Sequence, residues 1–185
     1  MADLKVNVTI PRADILSGKP KFFKTQHNSD LYYDKTARLL DVALATSAAP
    51  VFFPIHETQA DRFVDGALVG NAPGLFGWFE ASQYLEEDTL NIRVLAIGTL
   101  AGSPNISAKR TVKPSLLFWL NPKKPRLLYL MMSQQEHLTN LMLNRMLGKR
   151  YAIIDETISD ESANDIGVDD PSPTAQRVLL SRANA

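Results

Sequence analysis

The chain has 185 residues, 45% of them hydrophobic and 22% charged, and its 20 basic side chains balance 20 acidic ones. A chain of this size buries about two thirds of its unfolded surface without metal or disulfide staples. The absence of cysteine excludes disulfides, thiolate catalysis and iron–sulfur or zinc–thiolate sites, and a net charge of zero argues against a nucleic-acid partner, whose phosphates demand a basic excess.

Met1-Ala2-Asp3-Leu4-Lys5 has an acid where a signal peptide carries its basic flank, and no apolar stretch of signal length follows, so a cytoplasmic protein is expected. No window reaches the roughly 20 apolar residues of a spanning helix, which leaves peripheral membrane contact at the inner surface. Leu4 to Ile10 alternates with a period of two and predicts a strand ended by Pro11. Ser17-Gly18-Lys19-Pro20 is turn chemistry, and Lys21 to Thr25 then closes a hairpin. Asp34 is placed to cap a helix over Lys35 to Ala48, with Leu39, Leu40, Ala43 and Leu44 on one face and a tail of small residues that implies close packing.

A short strand, Arg62 to Val64, leads into an Asp65-Gly66 turn, a passage through Asn71-Ala72-Pro73-Gly74, and a helix from Leu75 to Leu85. The nearly continuous apolar run within Asn91 to Thr99 reads as a central strand of an α/β sheet. A looser region containing Pro104, Pro114, Pro122 and Pro125 follows. Arg126 to Leu147 is the longest predicted helix, with Gly148 at its C-cap. Tyr151 to Asp155 predicts an edge strand, and Thr174 to Arg182 a terminal helix. Strands alternating with helices indicate a single layered α/β domain across residues 1–185.

The stretch from Asp41 through Ala45-Thr46-Ser47-Ala48-Ala49-Pro50 to Pro54, followed by Phe63-Val64-Asp65-Gly66-Ala67 and Asn71-Ala72-Pro73, resembles the patatin-like acyl hydrolases. Pro20 to Thr25, Leu95 to Thr99, Arg150 to Asp155 and Val168 to Ser172 are similar to further, less specific parts of that family. The resemblance implies a three-layer sheet flanked by helices and hydrolysis of acyl esters of membrane phospholipids through a Ser-Asp dyad, with no cofactor and no metal. Carried over by position, Asp65 is the dyad base, because a serine hydroxyl is a poor nucleophile until a carboxylate within hydrogen-bond reach takes its proton. Gly66, Ala67, Asn71 and Pro73 are the supporting positions around the substrate site.

The family's Gly-Xaa-Ser-Xaa-Gly elbow and Gly-rich oxyanion loop are not among these 185 residues; the nearest approach, Gly98-Thr99-Leu100-Ala101-Gly102, has leucine at the serine position. The sequence therefore resembles the C-terminal portion of a patatin-like domain, incomplete at its N-terminal side. It is expected to be inactive alone, to oligomerise through exposed apolar surface, or to join a serine-bearing N-terminal half. A non-catalytic remnant or partner subunit with the same lipid-facing surface is the alternative. A plain scaffold, in which Asp65-Gly66 is a type I′ hairpin turn, is another.

Ser47 is a weak candidate nucleophile at a helix end. His27, His56 and His137 lack metal-ligand spacing. Phe118-Trp119-Leu120 with Lys123, Lys124 and Arg126 is either a lipid-headgroup surface or a buried aromatic anchor beside solvated charges.

Overall fold

Lys19–Lys24 (β2) folds back on Thr9–Asp14 (β1) because Gly18, at φ +64°, takes the left-handed conformation that the intervening turn requires. Asp14 fastens that turn. Its carboxylate accepts hydrogen bonds from the Leu16 N–H at 2.9 Å and the Ser17 hydroxyl at 2.7 Å, and pairs with Lys21 Nζ at 2.8 Å. These donors, Lys21 first, hold the Asp14 carboxyl well below the usual carboxylate range. The computed structural model describes residues 1–59, 61–99, 115–121, 125–155 and 171–183.

The first strand lies further along the chain than its alternation predicts, and Pro11 does not end it. Pro11 sits inside β1 opposite Phe22. At that register β1 is paired only with β2, since its other neighbour joins at Ala13 and Asp14, so the missing N–H breaks no second ladder. That neighbour is Arg62–Val64 (β4), which also pairs with His56–Glu57 (β3) to give a four-stranded sheet of order β2-β1-β4-β3.

The helix after the hairpin, α1, spans Leu39–Thr46 and begins later than expected. Asp34 does not cap it. One of its oxygens accepts from the Lys24 N–H at 2.9 Å and the other lies 3.5 Å from Arg12 Nη2, so the carboxylate belongs to the sheet. Nor does the leucine face point inward: Val42, Ala45 and Ala48 are buried, while Leu39, Leu40 and Leu44 are exposed. Small side chains let the helix axis approach the sheet closely, and the core there consists of Phe23, Val42, Ala45 and Phe63 with Met1. Phe23 and Phe63 meet edge-on at 5.8 Å between centroids, and the Arg12 guanidinium lies 3.6 Å from the centre of the Phe23 ring.

Two helices follow β4, the single-turn α2 (Ala67–Gly70) and α3 (Gly74–Tyr84). Val94–Ile97 (β5) pairs in parallel with Tyr151–Ile154 (β6) in a separate two-stranded sheet. The expected central strand is therefore paired on one side only among the described residues. Leu116–Trp119 (α4) falls where the sequence suggested only a loose region. Arg126–Leu147 (α5) has the predicted bounds and ends at Gly148, whose φ is +54°. Pro173–Ala183 (α6) is the last helix. Gly74 lies at the junction of α3, α5 and β5, where an added Cβ would stand 3.0 Å from Leu143 Cδ1 and 3.3 Å from Val94 Cγ1. Residues 100–114, Lys123, Lys124 and residues 156–170, with the readings made on them, lie outside the described residues.

Candidate active site around Asp65

The chain reaches Asp65 from β4 and leaves it as a helix. Gly66 has φ −63° and ψ −22°, and Ala67–Gly70 continue helically, so the Asp65-Gly66 pair is a strand-to-helix junction and not the tip of a hairpin. The type I′ reading is thereby excluded, since it needs positive φ at both central residues. Gly66 is required for a different reason than turn flexibility. A Cβ at this position would stand 2.1 Å from the Pro11 carbonyl oxygen and 2.8 Å from Thr46 Oγ1. The backbone at Gly66 is pressed against β1 and the end of α1, which leaves no room for a side chain.

That press is stitched by hydrogen bonds. The Asp65 N–H donates to the Ala48 carbonyl and the Gly66 N–H to the Thr46 carbonyl, each at 3.0 Å. The Thr46 hydroxyl donates to the Pro11 carbonyl at 2.7 Å. The Ala-Thr-Ser-Ala-Ala stretch thus provides both the carbonyls that hold the Asp-Gly junction and the small side chains that let it come close. Sequence reasoning caught the small residues and missed the part played by Thr46, whose only signal was its place inside that motif.

The Asp65 side chain turns onto its own helix, where Oδ1 accepts from the Ala67 N–H at 2.7 Å. It is half-buried and lines a small cavity of about 50 Å³ with Ala49, Pro50, Phe52, Leu68, Leu128, Tyr129 and Met132. Burial pushes its pKa up, opposed only in part by the Ala67 N–H. Among the described residues no serine hydroxyl reaches it. A carboxylate pinned by a backbone N–H and set against apolar walls suits proton abstraction from a hydroxyl brought to it, because orientation is fixed and basicity is raised.

Asn71 and Pro73 are not in this cavity. They line a neighbouring one of about 400 Å³, walled by α3, α5 and the edge of β5. Two side chains of α5 clamp Asn71: its backbone N–H donates to Gln135 Oε1 at 3.0 Å and its Nδ2 to Glu136 Oε2 at 2.8 Å. Gln135 Nε2 also donates to the Val69 carbonyl at 2.9 Å, so the C-terminal end of α2 is tied to α5 at two successive points. Pro73 begins α3 and is exposed. Neither Gln135 nor Glu136 was singled out from the sequence, where they read as the polar face of a long helix.

Ser47 is at the end of α1 and its hydroxyl donates to the Ala43 carbonyl at 2.7 Å, a helix-terminal bond. The His27 side chain is buried, with Nε2 2.8 Å from Glu80 Oε1 and Nδ1 2.9 Å from Thr25 Oγ1. Lys24 Nζ pairs with the other Glu80 oxygen at 2.7 Å, so this cluster anchors α3 to the hairpin. His137 bonds the Ser133 carbonyl within α5. Among the described residues no cluster of three potential ligands could hold a metal ion, and no helix is long and apolar enough to cross a membrane.

The fold is thus α/β, with the small-residue end of α1 clasping a strand-to-helix Asp-Gly junction. Residues 1–75 match the patatin-like phospholipase family model. Over these residues the chain is similar to the patatin-like phospholipases. It is 36% identical over its whole length to a cGAMP-activated phospholipase of Pseudomonas aeruginosa, covering 55% of that protein. It is 35% identical over 97% of its length to the cGAMP-activated phospholipase of Vibrio cholerae, covering 54%. A patatin-like protein 2 of Oryza sativa is 38% identical over 90 residues, 43% of this chain and 22% of that protein. The chain thus spans about half the length of the bacterial relatives.

Proposed function

We propose that this chain supplies the general base of a lipid acyl hydrolase. The supporting observation is the Asp65 carboxylate, fixed by the Ala67 N–H and half-buried against an apolar cavity. A serine hydroxyl, carried by a segment or partner outside these 185 residues, docks against that cavity. Asp65 takes its proton as the oxygen attacks the ester carbonyl, and passes the proton to the departing alcohol as the acyl-serine forms. Water then adds to the acyl group, Asp65 takes the water's proton, and the serine leaves with its own restored. On the support of the relatives' names, the whole protein is read as a phospholipase switched on by a cyclic dinucleotide.

The test is p-nitrophenyl ester hydrolysis by the chain joined to, or mixed with, a serine-bearing half. Asp65→Asn lowers kcat/KM by about 10³-fold or more, because the amide accepts no proton. Activity that survives the substitution removes Asp65 from the mechanism. Because the base must be ionised, the rate in the parent rises with pH through the raised Asp65 pKa. Stability runs the other way. The native state holds its proton above the ordinary carboxylate value, so stability falls as pH rises from that value through the raised native one. Asp65→Asn removes that loss, and the variant melts higher than the parent at neutral pH.

A further inference from the structure

α4 and the residue that follows it expose three leucines to water. Leu116 is 74% exposed and Leu117 79%, and Leu120 is open as well. The apolar surface continues along α5, where Leu127, Met131, Leu138 and Met142 fall on one helical stripe and all are exposed. Exposed Gln134 interrupts the stripe between Met131 and Leu138, so the apolar surface is concentrated at α4 and the first turns of α5, and such a concentration of exposed apolar side chains marks an interaction site.

Its place in the fold bears on the partner. α4 sits on the first turn of α5: Arg126 Nη1 donates to the Phe118 carbonyl at 3.0 Å, and the guanidinium lies 4.4 Å from the centre of the Phe118 ring. Phe118 and Trp119 pack edge-on at 5.4 Å. The next residues of the same helix, Leu128, Tyr129 and Met132, line the Asp65 cavity. The exposed patch and the cavity therefore share one helix segment, and a guanidinium with two aromatic rings stands at the patch margin. Leucines flanked by aromatic rings and a cation match the layering of a bilayer surface, apolar below and phosphate above.

We propose that α4 and the exposed stripe of α5 form the surface by which this chain rests on a phospholipid bilayer, its leucines in the acyl boundary and Arg126 at the phosphate level. An acyl ester leaving the bilayer then enters beside the Asp65 cavity. The inference rests on the Asp65 reading above for its purpose, but its test is independent. Vesicle partition is read without turnover, so a failed dyad assignment and a failed docking surface give different results.

The 185-residue chain is co-sedimented with vesicles of mixed phosphatidylcholine and phosphatidylglycerol. The parent partitions onto them, and L116S/L117S partitions about tenfold less or worse, because two apolar side chains no longer insert. Its thermal transition is unchanged, since both positions are exposed. Met131→Ser repeats the test with one side chain should the double variant fail to fold. Leu90→Ser, which alters an exposed leucine in the loop between α3 and β5, partitions like the parent. The proposal is overturned if the parent does not bind, if L116S/L117S binds like the parent, or if Leu90→Ser is as damaging. It is also overturned if L116S/L117S converts an oligomer to a monomer while leaving vesicle binding intact, which would make the patch a contact between copies.

Discussion

The two sheets of this molecule treat their backbone and apolar surface in opposite ways. The four-stranded sheet is closed where it meets α1 and α2: Pro11, Thr46, Ala48, Asp65 and Gly66 exchange hydrogen bonds across three elements, and Phe23 and Phe63 are buried beneath them. The β5–β6 pair is open, with Leu95, Ile97, Ile153 and Ile154 exposed although all four are of the apolar types that buried strands carry. Around the acid, backbone and apolar side chains are packed together; along the strand pair that borders the larger cavity, the apolar side chains are open among the described residues.

That contrast can be broken most directly at Gly66. Gly66→Ala drives a Cβ into the Pro11 carbonyl, and because the obstacle is backbone that cannot swing aside, the expected loss is about 3 kcal/mol or more in urea unfolding. A loss below about 1 kcal/mol would mean that the Asp65 junction is looser than its geometry indicates. Next in size is the open sheet. The chain on its own is expected to self-associate through the edge of β5 that is unpaired among the described residues, and Ile97→Lys, 73% exposed in the parent, weakens that association about tenfold or more by sedimentation velocity. A parent chain that runs as a monomer with a sharp thermal transition would show that the edge is not a pairing surface. The smallest effect has the opposite sign. Gly77, in the middle of α3, has nothing near its missing Cβ, so Gly77→Ala should stabilise by about 0.5–1 kcal/mol through helix propensity. A loss there would show that the α3 wall of the larger cavity is already occupied.

Long, strongly patterned segments were legible before any coordinates. α5 has the bounds its apolar spacing predicted, with Gly148 at its end, and the β1–β2 turn falls where Ser17-Gly18-Lys19-Pro20 placed it. What misled was chemistry that has two uses. Asp34 has the right side chain for a helix cap but spends it on Lys24 and Arg12 across the hairpin, a contact no local window contains. Leu39, Leu40 and Leu44 have the right spacing for a buried face, yet it is Val42 and Ala45 of the same helix that are buried, because the helix packs closely on the sheet and the Asp-Gly junction, which its smaller side chains can approach. Asp65-Gly66 has the right pair for a hairpin, and its neighbours in space, not in sequence, turn it into the start of a helix. The clamp from Gln135 and Glu136 to Asn71 shows the same limit: those side chains meet a loop more than 60 residues away.

By itself the sequence determined the α/β class, the longest helix, the family resemblance and the one carboxylate worth testing, since each is written in residues close together along the chain. The tertiary structure alone decided that Asp65 is half-buried against an apolar cavity, that Gly66 is required by contact instead of by φ, and that Asn71 and Pro73 line a different cavity. The physical reason is that burial, close approach and shared cavities are properties of elements brought together over long sequence separations, where a residue's local preference is one influence among several and often not the strongest.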